Sequence, residues 1–179
     1  MLTIETGQME PGANSYATVA DVDEWQSARN SETWPPAPES TDPDNPEPDT
    51  NMAAKEAAIL KAVDYLNGLN WTGLRAAPGR LMAWPRLGVV DVDGFAIASN
   101  HVPQAVKAAC AYLAGLAFEG IDLQPVLERG GRIQSQSIGR LSKSFFPDAP
   151  GRETFSALSD LLGGFLRAPG ADTSPLTRA

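Results

Sequence analysis

The chain has 179 residues, of which 42% are apolar and 20% charged, and this composition suits one domain with a small buried core. Its net charge of -8 argues against simple phosphate-driven binding of nucleic acid, which needs a segregated basic face. The acidity is uneven, because residues 1–120 carry 16 acidic and 7 basic side chains (net -9), whereas residues 121–179 carry 6 and 7 (net +1).

A first helix is predicted over about residues 19–29. Thr18 is a suitable N-cap, and Asp21 lies three residues further on, the spacing of a capping box. Carboxylates in the first turns also suit the positive end of the helix dipole. Before this helix, residues 1–4 alternate weakly and could form a short strand.

Residues 31–51 form a proline-rich acidic segment. They contain six prolines and six acidic residues but no Lys or Arg. Proline removes backbone donors and the carboxylates repel one another, so neither helix nor sheet is favoured. We expect an extended, exposed loop here. A solvated insertion is the favoured interpretation, and a docking role for the loop is the alternative.

Two longer helices are predicted on either side of a turn-rich segment, residues 68–101. The second helix should cover about residues 52–67, where apolar residues recur at helical spacing. The third should cover about residues 103–119, with Pro103 in its first turn. Cys110 falls on the apolar face of the third helix, and we expect it to be a small buried side chain.

The turn-rich segment carries large aromatic side chains that need packing partners. Trp71, Trp84 and Phe95 all lie within it, so we expect it to fold back over the helices. Asp93 and Gly94 favour a tight turn. The segment therefore belongs to the core of the domain.

The last part of the chain predicts a hairpin followed by a fourth helix. Residues 129–146 alternate in polarity around Gly139, and residues 153–166 return to helical spacing. The predicted fold is mainly α: a small bundle of about four helices with a β-hairpin arm and the acidic loop. We divide the chain into a helical core, residues 1–128, and a second part, residues 129–179, that holds the hairpin arm, the C-terminal helix and a flexible tail.

The sequence offers no constellation of catalytic residues. The only histidine is His101, which precedes the third helix without a partner motif. Residues 91–94 resemble the start of a calcium loop but lack its later acidic ligand. We therefore expect neither an enzyme nor a cofactor or metal site. The longest apolar run is also far short of the roughly 20 residues of a membrane span, so no membrane partner is expected.

Several motifs, in this order, resemble the head–tail adaptor proteins of long-tailed phages, sequences often labelled DnaT-like single-stranded-DNA-binding proteins. The motifs are GANSY (12–16), TVADVDEW (18–25), AAILKAVDYL (57–66), AWPRLGVVDVDGFAI (83–97), VPQAVKAACAYLA (102–114) and ERGGRI (128–133). The most specific positions, which we expect to form a structural motif, are Trp71, Trp84, Pro85, Arg86, Asp93, Gly94 and Pro103.

This resemblance implies a structural connector subunit in the neck of a tailed phage. Such adaptors form a ring, commonly of twelve copies, beneath the portal. The expected partners are the portal protein, neighbouring copies in the ring, and a downstream connector, stopper or tail-terminator protein. Double-stranded DNA would pass through the lumen without specific binding. The implied location is the virion, after assembly in the host cytoplasm.

Contacts with the portal or a neighbouring subunit are expected from the one region of the chain that is not acidic. Arginine suits protein interfaces because of its bidentate geometry. The expected interface residues are Arg129, Arg132, Arg140, Lys143, Phe145 and Phe165. For the C-terminal helix, packing on its own bundle is the competing hypothesis.

The alternative function is that of a single-stranded-DNA-binding protein. Such proteins combine a basic groove with aromatic side chains on which bases stack. A minimal set of this kind would be Trp71, Arg75, Arg80, Trp84 and Arg86. The acidic total and the ordinary role of tryptophan as a core residue weigh against it.

Overall fold

A computed structural model of the chain describes residues 1–38, 48–125, 133–137, 142–145 and 155–167. These residues form a mainly α domain, as predicted. Its helices are α1 (Val19–Ser27), α2 (Met52–Asn67), α3 (Gln104–Phe118) and α4 (Ser156–Leu162). Its strands are β1 (Leu74–Arg75), β2 (Arg86–Leu87), β3 (Ile133–Ser137) and β4 (Ser142–Phe145).

Helix α3 is the centre of the domain. It packs along α2 and also contacts α1 and α4. Alanines on the packed faces, such as Ala62 of α2 and Ala109 of α3, are fully buried and allow the helix backbones to approach closely. Cys110 is also fully buried, as predicted, and this burial raises the pKa of its thiol to about 12.

The predicted capping box begins α1. The Asp21 amide donates to Thr18 Oγ1 at 3.0 Å, and the Thr18 amide donates to Asp21 Oδ2 at 2.8 Å. Both bonds satisfy backbone donors that a helix start leaves without partners. The predicted strand at residues 1–4 is reduced to one bridge between Ile4 and Ser15.

The turn-rich segment folds back over the helices, as predicted. Trp71 and Trp84 are buried, and their rings meet edge to face with centroids 5.6 Å apart. The hydroxyl of Tyr16 accepts from the amides of Ala83 and Trp84, which ties the segment to the start of α1. Phe95 is the exception, because 70% of its surface is exposed.

The acidic loop is not simply exposed, and that expectation was wrong at both of its ends. Trp34 is only 3% exposed, and its indole Nε1 donates to Asp23 Oδ1 at 2.6 Å. At the other end, Asp49 pairs with the buried Lys55 at 2.8 Å. These contacts anchor the loop to α1 and α2, whereas residues 39–47 lie outside the described part.

The predicted hairpin exists as the antiparallel pair of β3 and β4, and its predicted turn residue, Gly139, lies outside the described residues. Helix α4 is shorter than expected, since the chain tightens into a 3-10 turn at Gly163–Phe165. The two glycines there have low helix propensity.

Residues 155–167 pack on the helical core. Leu158, Leu162 and Phe165 are buried, and the Thr72 amide donates to the Phe165 carbonyl at 2.8 Å. The apolar face of α4 therefore completes the core. Among the described residues, no helix is both long and apolar enough to span a bilayer.

Candidate functional site

A short ribbon brings two arginines together. Strand β1 pairs antiparallel with β2, so that Leu74 lies opposite Leu87 and Arg75 lies opposite Arg86. Gly73 precedes β1 with a φ of +65°, and an added Cβ there would collide with the Leu87 carbonyl. Only glycine fits this close approach of the two strands without strain.

Arg86 is the internal support of this ribbon. It is only 7% exposed, and its guanidinium donates to three backbone carbonyls. The acceptors are Thr72 at 2.6 Å, Ala83 at 3.0 Å and Gly73 at 3.0 Å. These bonds fix the ends of the strands and hold a positive charge beneath the surface.

Two further arginines place their charges close to Arg86. Burial lowers the pKa of Arg86, and the charges of Arg75 and Arg167 lower it further. Arg75 and Arg167 are both exposed. The three side chains, Arg75, Arg86 and Arg167, form what we call the arginine face.

The backbone explains why Arg167 lies there. The Arg167 amide donates to the Asn70 carbonyl at 2.8 Å, and Leu166 bridges to Trp71. The chain after α4 therefore runs beside the start of the ribbon. Arg75 is oriented by a hydrogen bond from its Nη1 to the Arg80 carbonyl at 2.5 Å.

Arg80 is near the arginine face, but its charge is already compensated. Its Nη2 pairs with the buried carboxylate of Glu5 at 2.7 Å. It also donates to the carbonyls of Met9 and Glu10, at 2.6 and 2.8 Å. Arg80 therefore fastens the N-terminal segment to the domain and has little charge to offer a ligand.

An exposed apolar loop continues from the ribbon. Val92 and Phe95 are 80% and 70% exposed, and Phe95 is the one aromatic side chain of the described residues with more than half of its surface exposed. The predicted Asp93-Gly94 turn is confirmed. It is held by Asp91, whose Oδ1 accepts from the amides of Asp93 and Phe95.

This loop lies beside the chain that leads to Arg167. A Cβ added at Gly164 would meet the side chain and backbone of Val92, so the two segments are in close contact. A Cβ added at Gly73 would likewise meet the Val89 side chain. Contacts of this kind connect the ribbon, the exposed loop and the 3-10 turn into one region of the surface.

The positions expected to form a structural motif mostly do so. Trp71, Trp84, Pro85, Arg86 and Pro103 are buried, and Asp93 and Gly94 form the exposed turn. Because both tryptophans are core residues, they offer no face on which a base could stack. Sequence reasoning missed Arg167, which lies far from Arg75 and Arg86 in the chain and belongs to no motif.

The expected interface residues are not brought together by the described structure. Phe165 is a core residue, because it is buried and its ring centroid lies 5.6 Å from that of Trp84. The C-terminal helix therefore packs on its own bundle, which was the competing hypothesis. Lys143 and Phe145 lie in β4, of which only the backbone is described. Arg129, Arg132 and Arg140 lie outside the described residues.

The described residues contain no group of three or more His, Cys, Asp or Glu side chains that could hold a metal ion. His101 is exposed in the loop before α3.

Comparison with protein families identifies the family of the chain. A family model described as "Putative DnaT-like ssDNA binding protein" matches residues 1–179, the whole sequence, and the chain belongs to this family. No curated protein and no solved structure matches the chain.

The family match corrects the function implied by the phage resemblance. The DnaT-like part of that resemblance is confirmed. The predicted function of a head–tail adaptor is wrong, and so are the predicted portal, ring and tail partners. The match favours the alternative, single-stranded DNA binding. The net charge of the whole chain does not exclude this alternative, because the local distribution of charge decides whether a basic face exists.

Proposed function

We propose that this member of the DnaT-like family binds single-stranded DNA through its arginine face, and that it acts as a binding protein and not as an enzyme. The observation that carries the proposal is that Arg75 lies opposite the buried Arg86 in the ladder, while Arg167 is held by its backbone beside residues 70–71, at the start of the same ribbon. Guanidinium groups match phosphate oxygens in a bidentate geometry.

The overall charge of -8 does not oppose this proposal as strongly as its size suggests. Six of the 22 acidic residues lie in the loop at residues 31–51. Glu5 is paired with Arg80, and Asp23 and Asp49 are both paired with Lys55. The neighbouring charges that lower the pKa of Arg86 are those of Arg75 and Arg167.

A small number of phosphate contacts predicts weak binding with a modest salt dependence. For single strands, each phosphate contact contributes about -0.7 to the slope of log K against log salt. The two exposed arginines, Arg75 and Arg167, therefore predict a slope of roughly -1.4. Affinity beyond this must come from contacts with the bases.

Phe95 supports contacts with the bases. A base that stacks on an exposed aromatic ring contributes about 1–3 kcal/mol, with little dependence on sequence. Bases in a duplex are already stacked on one another and cannot use the ring in this way. The combination of arginines and an exposed ring therefore favours single strands over duplexes.

The test is a titration of the purified full chain into fluorescein-labelled oligonucleotides, followed by anisotropy. One oligonucleotide is single-stranded, and the control is the same sequence as a duplex. We expect binding that is tighter for the single strand and that weakens between about 50 and 200 mM salt. Equal binding to both forms, or no binding at the lowest salt, would overturn the proposal.

A further inference from the structure

A groove with a volume of about 310 Å³ lies between α1 and α3, and none of the three arginines of the arginine face lines it. Pockets that hold small ligands begin at about this size. The groove has a floor of alanines and walls of polar or aromatic side chains. The wall residues are Asp21, Glu24, Trp25, Arg29, Gln104 and Lys107.

The width of the groove is fixed by the packing of the two helices. The Gln26 side chain of α1 donates to the Ala111 carbonyl of α3 at 2.8 Å and lies directly against Gly115. Ala28, Ala108 and Ala111 have small side chains, which leave space open between the helices.

One wall of the groove carries a stacked pair. The Arg29 guanidinium lies over the Trp25 ring, with Cζ 3.8 Å from the ring centroid. Its Nη1 donates to the Trp25 carbonyl at 3.1 Å, which holds the guanidinium in this position. The stacked pair therefore presents a planar cation at the groove.

The remaining polar groups of the groove differ in their availability. Asp21 is occupied by the capping box with Thr18. Within the described part of the chain, the side chains of Glu24, Gln104 and Lys107 have no hydrogen-bonding partner, although the backbones of Glu24 and Lys107 do. The groove therefore offers a free carboxylate, a free amide and a free ammonium group.

This set of groups fits a nucleobase better than other ligands. A simple anion could pair with Lys107 but would leave Glu24 and Gln104 without a partner, and an apolar ligand would leave the charged groups desolvated. A base is flat, carries both donors and acceptors on its edge, and is joined to a phosphate. Proteins that recognise unstacked bases use guanidinium stacking and contacts to the base edge in this way.

We propose that the groove between α1 and α3 holds one unstacked base of single-stranded DNA. The base stacks against the Arg29 guanidinium, its edge meets Glu24 and Gln104, and the adjoining phosphate pairs with Lys107. This inference rests on the proposed function and adds a second contact region to the arginine face.

The first test uses methyl NMR of the full chain with labelled alanines. Titration with an unlabelled oligo(dC) should shift the methyl signals of Ala28 and Ala108, because the ring current of a bound base acts at short range. The buried Ala58 and Ala62 of α2 are internal controls and should not shift. An abasic oligomer with the same number of phosphates should leave Ala28 and Ala108 unchanged.

The second test uses variants. Arg29→Gln should weaken binding of oligo(dC) roughly tenfold, the usual size of one lost stacking contact, and have little effect on the abasic oligomer. Lys61→Gln, on the exposed side of α2, is the matched control and should bind as the wild type does. Circular dichroism and thermal melting establish that each variant is folded.

The outcomes separate this inference from the proposed function. If the wild type binds oligo(dC) but Ala28 and Ala108 do not shift and Arg29→Gln binds equally well, the groove is not a base site and the proposed function stands. If the wild type binds no single-stranded DNA, both fail.

Discussion

Arg75 and Arg86 lie directly opposite each other in the β1–β2 ladder, although both are positively charged. Like charges at opposed positions of a sheet destabilise it. The arrangement persists because the Arg86 guanidinium is held by three backbone carbonyls. A phosphate group bound by the exposed Arg75 would offset the repulsion between the two charges, which connects the geometry of the ribbon to the proposed ligand.

Arg75→Gln should weaken the binding of single-stranded DNA and leave the stability of the fold nearly unchanged. We expect its free energy of unfolding to stay within about 0.5 kcal/mol of the wild type, because Arg75 is exposed and a repulsion is removed. Binding of single-stranded DNA should weaken, and the salt slope should become about 0.7 less steep. Chemical denaturation and anisotropy titrations measure the two effects, with Lys61→Gln as the control. An unchanged salt slope would exclude Arg75 from the interface.

Gly73→Ala should be more damaging than Gly79→Ala, although both glycines have a positive φ. The left-handed conformation costs an alanine about 1–2 kcal/mol at either position. At Gly73 the added methyl also collides with the Leu87 carbonyl and the Val89 side chain, whereas at Gly79 it meets nothing. Denaturation curves of the two variants measure the difference. Equal destabilisation would mean that β1 and β2 do not approach as closely as described.

Trp84→Ala should cost about 3–5 kcal/mol, the range for a large buried aromatic side chain. Trp84 is 1% exposed and meets both Trp71 and Phe165 edge to face at 5.6 Å. The control is Leu81→Ala at a position that is 81% exposed, where the change should be small. A shift in melting temperature no larger than that of the control would show that Trp84 is not part of the core.

Asp49→Asn should lower stability at neutral pH and have little effect in acid. The hydrogen bond from Lys55 lowers the pKa of Asp49 below its usual 3.8. A carboxyl with a lowered pKa stabilises the folded state above pH 3.8, and the contribution is lost as the pH falls through its folded pKa. Denaturation between neutral and acidic pH should therefore show the wild type and variant converging. Asp64→Asn, at an exposed position of α2, is the control.

The ion pairs of Lys55 with Asp23 and Asp49 also predict a loss of stability in strong alkali. Burial lowers the pKa of Lys55, but hydrogen bonds to Asp23 and Asp49 outweigh this effect and raise it above 10.5. A raised pKa means that the contribution is complete below pH 10.5 and disappears as the pH rises through the folded value.

The helices could be predicted because their signals are local. The bounds of α2 match the expected residues 52–67, since apolar residues recur at helical spacing and Gly68 follows the last of them. Helix α4 was predicted too long because the apolar pattern continues through Gly163 and Gly164, where the backbone tightens. The burial of Trp34 was missed because its partners, Asp23 and Phe118, are distant in sequence from an otherwise polar loop.

The candidate site could be predicted only in part. Arg75 and Arg86 were named as members of a minimal DNA-binding set, but so were two tryptophans that are buried in the core. Arg167 reaches the same face only because residues 166–167 run beside residues 70–71. A tertiary contact of this kind leaves no pattern in a single sequence.

The most direct test of single-stranded DNA binding at the arginine face compares salt slopes of the wild type and the Arg75→Gln/Arg167→Gln double variant. Both are titrated against the same labelled single strand over a series of salt concentrations. The proposal predicts that the slope of the double variant is about 1.4 less steep than that of the wild type, with weaker binding at every salt concentration. Identical slopes and affinities for the two folded proteins would contradict it.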